Sequence, residues 1–505
     1  MNQFVADPVG WVTAHLNSGG LSRSPWEIPA LSAALLVAFV WVVPLLAVGA
    51  GLPPVPLAFA VVAAYLVAIV ALDRPIGGVF AGVIAMSTCA LSLPLLYAET
   101  ARANLRLQLA DPFAAVVVLL VSYWVYRDRL PNPGGRLVVA LMCVWVAWTG
   151  LAAVFGAGPS SRTAALFAVN QARWILYFGV GLLLATLIPL RVGVVSVAIA
   201  AVIHAPVAIV QSVIVGPEGL GSFDTATKFD IEDTPTVDLL GWTFESGYPI
   251  AGWTDNRVAF VLIGFLALVT AYYYLIRGEL WQRVLAAIAI PVVTTPMILT
   301  WSDTVFIAIP FLTIASGIAL AWRRVPINAR TTARYRRAAL GTVVATGIMT
   351  FGATLILGVR TIIDPIPVSA DNLETRLDSY QAAINLGKEY PIFGVGGANY
   401  ELIAPSLDTI THADAVHNTA YEFLSATGFV GLALFMALIL SVVHHCERAL
   451  SGPESRPFVM LVALWAAIGF GALSMLNLMW PSYVGNAVFW LLMGMVVSVG
   501  NAGSR

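Results

Sequence analysis

Apolar residues run along this chain in long, nearly uninterrupted stretches, separated by short polar joints. Stretches of about 17–24 residues, the length a helix needs to cross a bilayer, fall at roughly 31–50, 53–72, 76–98, 111–126, 137–157, 174–190 and 192–215. A second set falls at roughly 257–276, 284–301, 303–322, 338–358, 420–443, 457–477 and 483–499. Some joints are only a few residues long, such as Gly51-Leu52-Pro53 and Trp301-Ser302-Asp303. Backbone polar groups within hydrocarbon must bond to each other, so the pattern predicts an all-α polytopic membrane protein of about 14 transmembrane helices.

Two polar segments break the pattern and divide the chain. The reading is an interfacial or cytoplasmic segment over 1–30, helices over 31–215, an external loop over 216–256, helices over 257–358, an external catalytic loop over 359–416, and helices over 417–505. The first segment carries Trp11, Pro25 and Trp26 but lacks the basic start and cleavage site of a signal peptide. Trp242, Phe244, Tyr248 and Trp253 suit the first loop to lying as a lid on the membrane surface. No internal repeat is evident.

Composition agrees with the pattern. The chain is 59% hydrophobic and 10% charged, against roughly 25% charged in soluble domains. A net charge of −1 gives no general attraction to nucleic acid. Cys89, Cys143 and Cys446 are scattered, with neither disulfide-framework nor zinc spacing. Asp230, Glu232 and Asp233 form an acidic run without the spacing of a calcium loop, and solubility accounts for them. Orientation follows from the basic residues. With the N-terminus inside, most of the 26 Lys and Arg reach the inner face, including the dense block Arg323–Arg337. Both termini are then cytoplasmic, and both polar segments lie on the extracytoplasmic face of the plasma membrane.

Chemistry concentrates between Arg376 and Phe435. Here R-L-D-S-Y, Y-P-I-F-G-V-G-G-A-N-Y and H-N-T-A-Y-E-F-L-S-A-T-G-F-V-G-L lie between two apolar segments. Thr419 and Glu422 have capping-box spacing at the head of an apolar run, which places His417 just outside a helix N-terminus. The positive end of the helix dipole favours a neutral imidazole and a nearby anion, the arrangement of a general base beside an anion site. An Arg such as Arg376 offers a planar fork for phosphate.

The order of these residues resembles the O-antigen ligase and O-antigen polymerase superfamily, outer-leaflet glycosyltransferases grouped with the GT-C enzymes. The family pattern is met by Arg376, Tyr380, Pro391, Phe393, Gly394, Gly396, Asn399, His417, Asn418, Glu422, Gly428, Gly431 and Leu432. Asn256, in D-N-R-V-A at the opening of the eighth stretch, is similar to a second family motif. The likeness covers about 250–440, while the N-terminal half is similar only in hydropathy.

The resemblance implies a GT-C-like fold with two extended external loops. It also implies a polyprenyl-phosphate-linked glycan donor and a glycan, glycolipid or glycoprotein acceptor, with no metal and no cofactor. His417 takes the role of base and Arg376 that of phosphate clamp; Glu422 reads as a capping residue. One departure stands out: Asp303 falls where the family often has a phosphate-binding Arg. Arg257, Arg162 and Arg173 are candidates to replace it, and a monophosphate carrier needs less positive charge. The alternative reading is a multi-span transporter or lipid-linked glycan flippase. The intramembrane stretches offer such a protein few coupling charges. Their main polar cluster, His204 with Pro206 and Gln211, reads as packing.

Overall fold

The computed structural model describes residues 87, 92–98, 105–108, 110–126, 134–210, 236–239, 242–245, 257–299, 368–404, 416, 418–450, 456–466 and 483–502. The expected stretches at 31–50, 53–72, 303–322 and 338–358 lie outside these residues, as do the Arg323–Arg337 block, Asp303 and the acidic run at 230–233.

The described elements are mostly helical. They are α1 (Asp111–Tyr126), α2 (Arg136–Phe155), α3 (Ser161–Leu184), α4 (Leu190–Val210), α5 (Arg257–Arg277), α6 (Leu280–Leu299), α7 (Val368–Glu389), α8 (Tyr400–Ile403), α9 (Thr419–Ala449), α10 (Arg456–Trp465) and α11 (Tyr483–Ala502). Among the described residues, five helices are long and apolar enough to cross a membrane, and two shorter apolar helices fall within α4 and α11. That makes a multi-pass membrane protein.

Two small antiparallel hairpins depart from the all-helical expectation. β1 (Ser92–Leu96) pairs with β2 (Leu105–Gln108), and β3 (Thr236–Leu239) pairs with β4 (Trp242–Glu245). β1 falls where the third apolar stretch was expected to continue as helix to residue 98. Pro94 lacks an N–H and its ring clashes with a helical carbonyl, so the end of that stretch is better suited to a short strand.

The first turns of α3 also depart from expectation. Hydropathy places the start of this span at 174, yet the helix begins at Ser161 behind an N-cap, Ser160, whose hydroxyl accepts from the Thr163 N–H at 3.1 Å. The intervening polar residues are helical because their side chains turn inward. Asn170 and Gln171 are buried, and Arg173 forms an ion pair with Asp111 at 3.5 Å. The Tyr177 hydroxyl donates to the same carboxylate at 2.8 Å.

α3 packs along α11 and α2, with α1 beside it, and α9 packs in turn on α2 and α11. Gly181 and Gly494 bring the α3 and α11 backbones into direct contact, because neither has a Cβ to hold them apart. An aromatic cluster fills the centre. Trp145 lies 4.9 Å from Phe423, Trp174 lies 5.5 Å from Trp490, and Phe423 lies 4.6 Å from Phe435, by ring centroids. α4, α5 and α6 form a second packed group, joined to the first through α11.

Candidate functional site

The motif residues meet at a break in α9. Gly428 has φ 69° and ψ −175°, a left-handed conformation that interrupts the helix between Thr427 and Phe429. Only glycine reaches this region readily. A Cβ here would also lie 2.5 Å from the Pro391 carbonyl oxygen and 2.6 Å from that of Ile392. A break of this kind removes successive i to i+4 hydrogen bonds and leaves buried carbonyls in need of donors.

The turn after α7 supplies most of them. The Val395 N–H donates to the Ser425 carbonyl at 2.8 Å, and the Gly396 N–H donates to that of Ala426 at 3.0 Å. The Trp148 indole N–H, from α2, donates to the Thr427 carbonyl at 3.1 Å. In return, the Phe429 N–H donates to the Pro391 carbonyl at 2.8 Å. Three consecutive carbonyls thus find donors outside their own helix. Gly394, also left-handed at φ 63°, lets the turn lie directly on the α9 backbone. The P-x-F-G-x-G and T-G-x-x-G segments are two halves of one interlocking contact, which accounts for their joint occurrence.

Two further residues extend the contact. Phe393 stacks on Trp148, with centroids 5.0 Å apart and planes at 18°, and lies 5.4 Å from Phe155. Asn399, almost fully buried, donates through Nδ2 to the Ser160 and Val395 carbonyls at 3.1 and 2.8 Å and accepts from the Ser160 N–H at 3.3 Å. It ties the turn to the corner between α2 and α3.

Above the break, α7 crosses α9. Tyr380 packs on Tyr421 at 5.2 Å, and Gly387 lies against Leu424. Tyr400, behind α7, donates its hydroxyl to the Ser379 carbonyl at 3.2 Å. Burial, with a smaller contribution from the Glu422 carboxylate, pushes that hydroxyl up to about 12. α9 begins at Thr419, but its cap is Asn418 rather than the expected Thr419–Glu422 box. The Asn418 side chain accepts from the Ala420 and Tyr421 N–H groups at 2.9 and 3.3 Å. Asn reaches these two donors from the cap position more readily than the branched Thr. Glu422 therefore falls one position too late for a capping box and is buried.

The remaining site residues divide as follows. Arg376 lies on α7, one helical turn before Tyr380. Arg257 opens α5. His417 and Asn256 lie outside the described residues, but His417 directly precedes the Asn418 cap in sequence, the relation expected of it. Arg162 is exposed in the first turn of α3. Arg173 is not in a loop beside Arg162; it lies halfway along α3, in an ion pair with Asp111. Sequence reasoning passed over Trp148 and Ser160. The available signal was the polar Gly158-Pro159-Ser160 corner and an indole N–H that requires an acceptor within an apolar helix.

The helices and this interlock define a multi-pass membrane protein with a turn-and-broken-helix site. The family model described as O-antigen ligase matches residues 293–436. The match takes in Arg376, the turn, His417 and the α9 break, and it bears out the resemblance to the O-antigen ligase and polymerase superfamily. No curated protein matches the chain.

Proposed function

We propose that the protein is a membrane glycosyltransferase of the O-antigen ligase or polymerase kind. It takes a glycan from a polyprenyl-phosphate-type carrier and passes it to a hydroxyl of a glycan, glycolipid or glycoprotein acceptor on the extracytoplasmic face. The observation that carries the reading is the family match over residues 293–436, in which the Arg, turn, His and glycine motifs occur in order. The contact of Tyr380 with Tyr421 supports it, because it brings the turn of α7 that bears Arg376 to the start of α9.

In this mechanism His417 accepts the proton of the acceptor hydroxyl. The acceptor oxygen bonds to the anomeric carbon as the bond from that carbon to the carrier phosphate oxygen breaks. The carrier leaves as the free phosphate or diphosphate, its new charge held by the guanidinium of Arg376 with help from Arg257. The positive end of α9 keeps the imidazole neutral and ready to accept.

His417→Ala is expected to insert and bind donor but to lose about 10²–10⁴-fold in transfer, so that unused lipid-linked glycan accumulates. His412→Ala, outside the motif, transfers nearly as wild type. Equal behaviour of the two variants in a comparison of lipid-linked and surface glycans would remove the assignment.

A further inference from the structure

We propose that Trp148 is a positioning residue for this site: from the N-terminal half of the chain, it sets the register of α7 on α9. The inference rests on the transferase reading for its effect on rate, but on geometry alone for its structural part. Trp148 makes two contacts at one point. Its N–H holds the last freed carbonyl above Gly428, that of Thr427, at 3.1 Å. Its ring stacks on Phe393, at the centre of the turn that continues directly from α7. One side chain therefore joins the broken helix to the segment that fixes where α7 ends.

The other bonds of the interlock are backbone to backbone, between Val395, Gly396 or Pro391 and α9. They define the contact, and one more backbone bond, from the Ala157 N–H to the Gly394 carbonyl at 3.1 Å, ties it to the corner between α2 and α3. Trp148, the Asn399–Ser160 bonds and the Ala157–Gly394 bond together fasten it to α2 and α3. Asn399 and Ala157 bond only the turn, whereas Trp148 also bonds α9 at the helix break. Loss of its N–H leaves the Thr427 carbonyl without this donor and weakens the hold of α2 on both the turn and α9. α7 then moves with the turn, carrying Arg376 relative to the head of α9. Displacement of reacting groups by about 1 Å can cost on the order of 10²-fold in rate, so the effect falls on turnover rather than on donor affinity.

Trp148→Phe preserves an aromatic ring over Phe393 and removes only the donor. Two measurements follow. In the first, glycan transfer is assayed with the purified full-length protein and a lipid-linked glycan donor. The expected result is a fall in kcat of about 10-fold, with donor KM and Tm close to wild type. In the second, Tyr380→Cys and Tyr421→Cys are combined, with Cys89, Cys143 and Cys446 replaced by Ala, and oxidative cross-linking of the pair is timed with and without Trp148→Phe. The expected result is several-fold slower cross-linking in the Phe variant. Unchanged cross-linking overturns the proposal whatever the activity. A fall in Tm and a rise in KM that account for the loss of rate also overturn it, since they mark a general weakening of the fold. If the wild-type protein transfers no glycan, the transferase reading fails while the cross-linking result still decides the role of Trp148.

Discussion

The α3–α11 interface and the α7–α9 interlock lie in the same bundle, yet they are held together in opposite ways. Along α3 and α11 the contact is made by side-chain volume: Trp174 against Trp490, Phe178 against Trp490, and glycines where the helices come closest. At the interlock the main actors are backbone groups, and side chains enter chiefly through a hydrogen bond or through the absence of a Cβ. An apolar interface accepts many residues of suitable size. A backbone interlock accepts few, because each carbonyl requires its donor and each left-handed residue requires glycine. That difference explains why a specific motif is found in one region and only hydropathy in the other.

The difference is sharpest if one methyl group or less is changed in each region. Gly428→Ala adds a single Cβ to a left-handed residue and drives it into the Pro391 and Ile392 carbonyls. Backbone strain of about 1–3 kcal/mol combines with the loss of interlocking bonds, so destabilisation of about 4 kcal/mol is expected. Leu491→Met, in the fully buried α11 face, conserves volume and is expected to cost about 1 kcal/mol. SDS-titrated unfolding of the two variants side by side reads both, and equal losses would erase the distinction.

Asn399→Ala comes next. It removes three hydrogen bonds to Ser160 and Val395 and leaves their buried backbone groups without those partners. About 2 kcal/mol should be lost in the same titration. Asn399→Asp keeps an acceptor for the Ser160 N–H but turns a buried carboxylate oxygen toward the Ser160 and Val395 carbonyls, so it should recover none of it.

The smallest effect is a pH dependence at Tyr400. Its hydroxyl rises from an ordinary 10.0 to about 12, chiefly through burial. The folded protein holds this proton more tightly than the unfolded chain does. The contribution is therefore complete below about pH 10 and is lost as the pH climbs toward about 12. Tyr400→Phe retains the ring but loses the bond to the Ser379 carbonyl, so it starts about 1 kcal/mol less stable at neutral pH. Its stability between pH 10 and 12 should decline less steeply than that of the wild type.

What was legible in the sequence follows the same division. α1, α5 and α11 begin and end close to the apolar stretches that announce them, because burial in a bilayer is a matter of length and hydropathy. The start of α3 was hidden because Arg173 and Asn170 lower the local hydropathy, and their partners in the bundle lie far away in sequence. The residues of the turn and of the α9 break were legible as a motif. The contact that unites them was not, since it depends on a glycine leaving the helical conformation within an otherwise uniform apolar run. The cap was misplaced by one residue because Asn418 and Thr419 are both acceptable caps, and backbone geometry chooses between them. Trp148 looks like any tryptophan of an apolar helix until its acceptor, 279 residues away, is placed beside it.

That separation bears on how the protein is made. While the chain is being synthesised, α2 is complete long before Thr427 exists, so the indole N–H must wait for its acceptor through most of the membrane insertion steps. The α9 segment, arriving late, can enter the bilayer as a continuous helix and bend at Gly428 only when the turn reaches it. Assembly of the site is thereby coupled to completion of the whole protein. A chain arrested before its C-terminal helices keeps α2 and α3 but lacks the α9 break, so the interlock cannot form in unfinished copies.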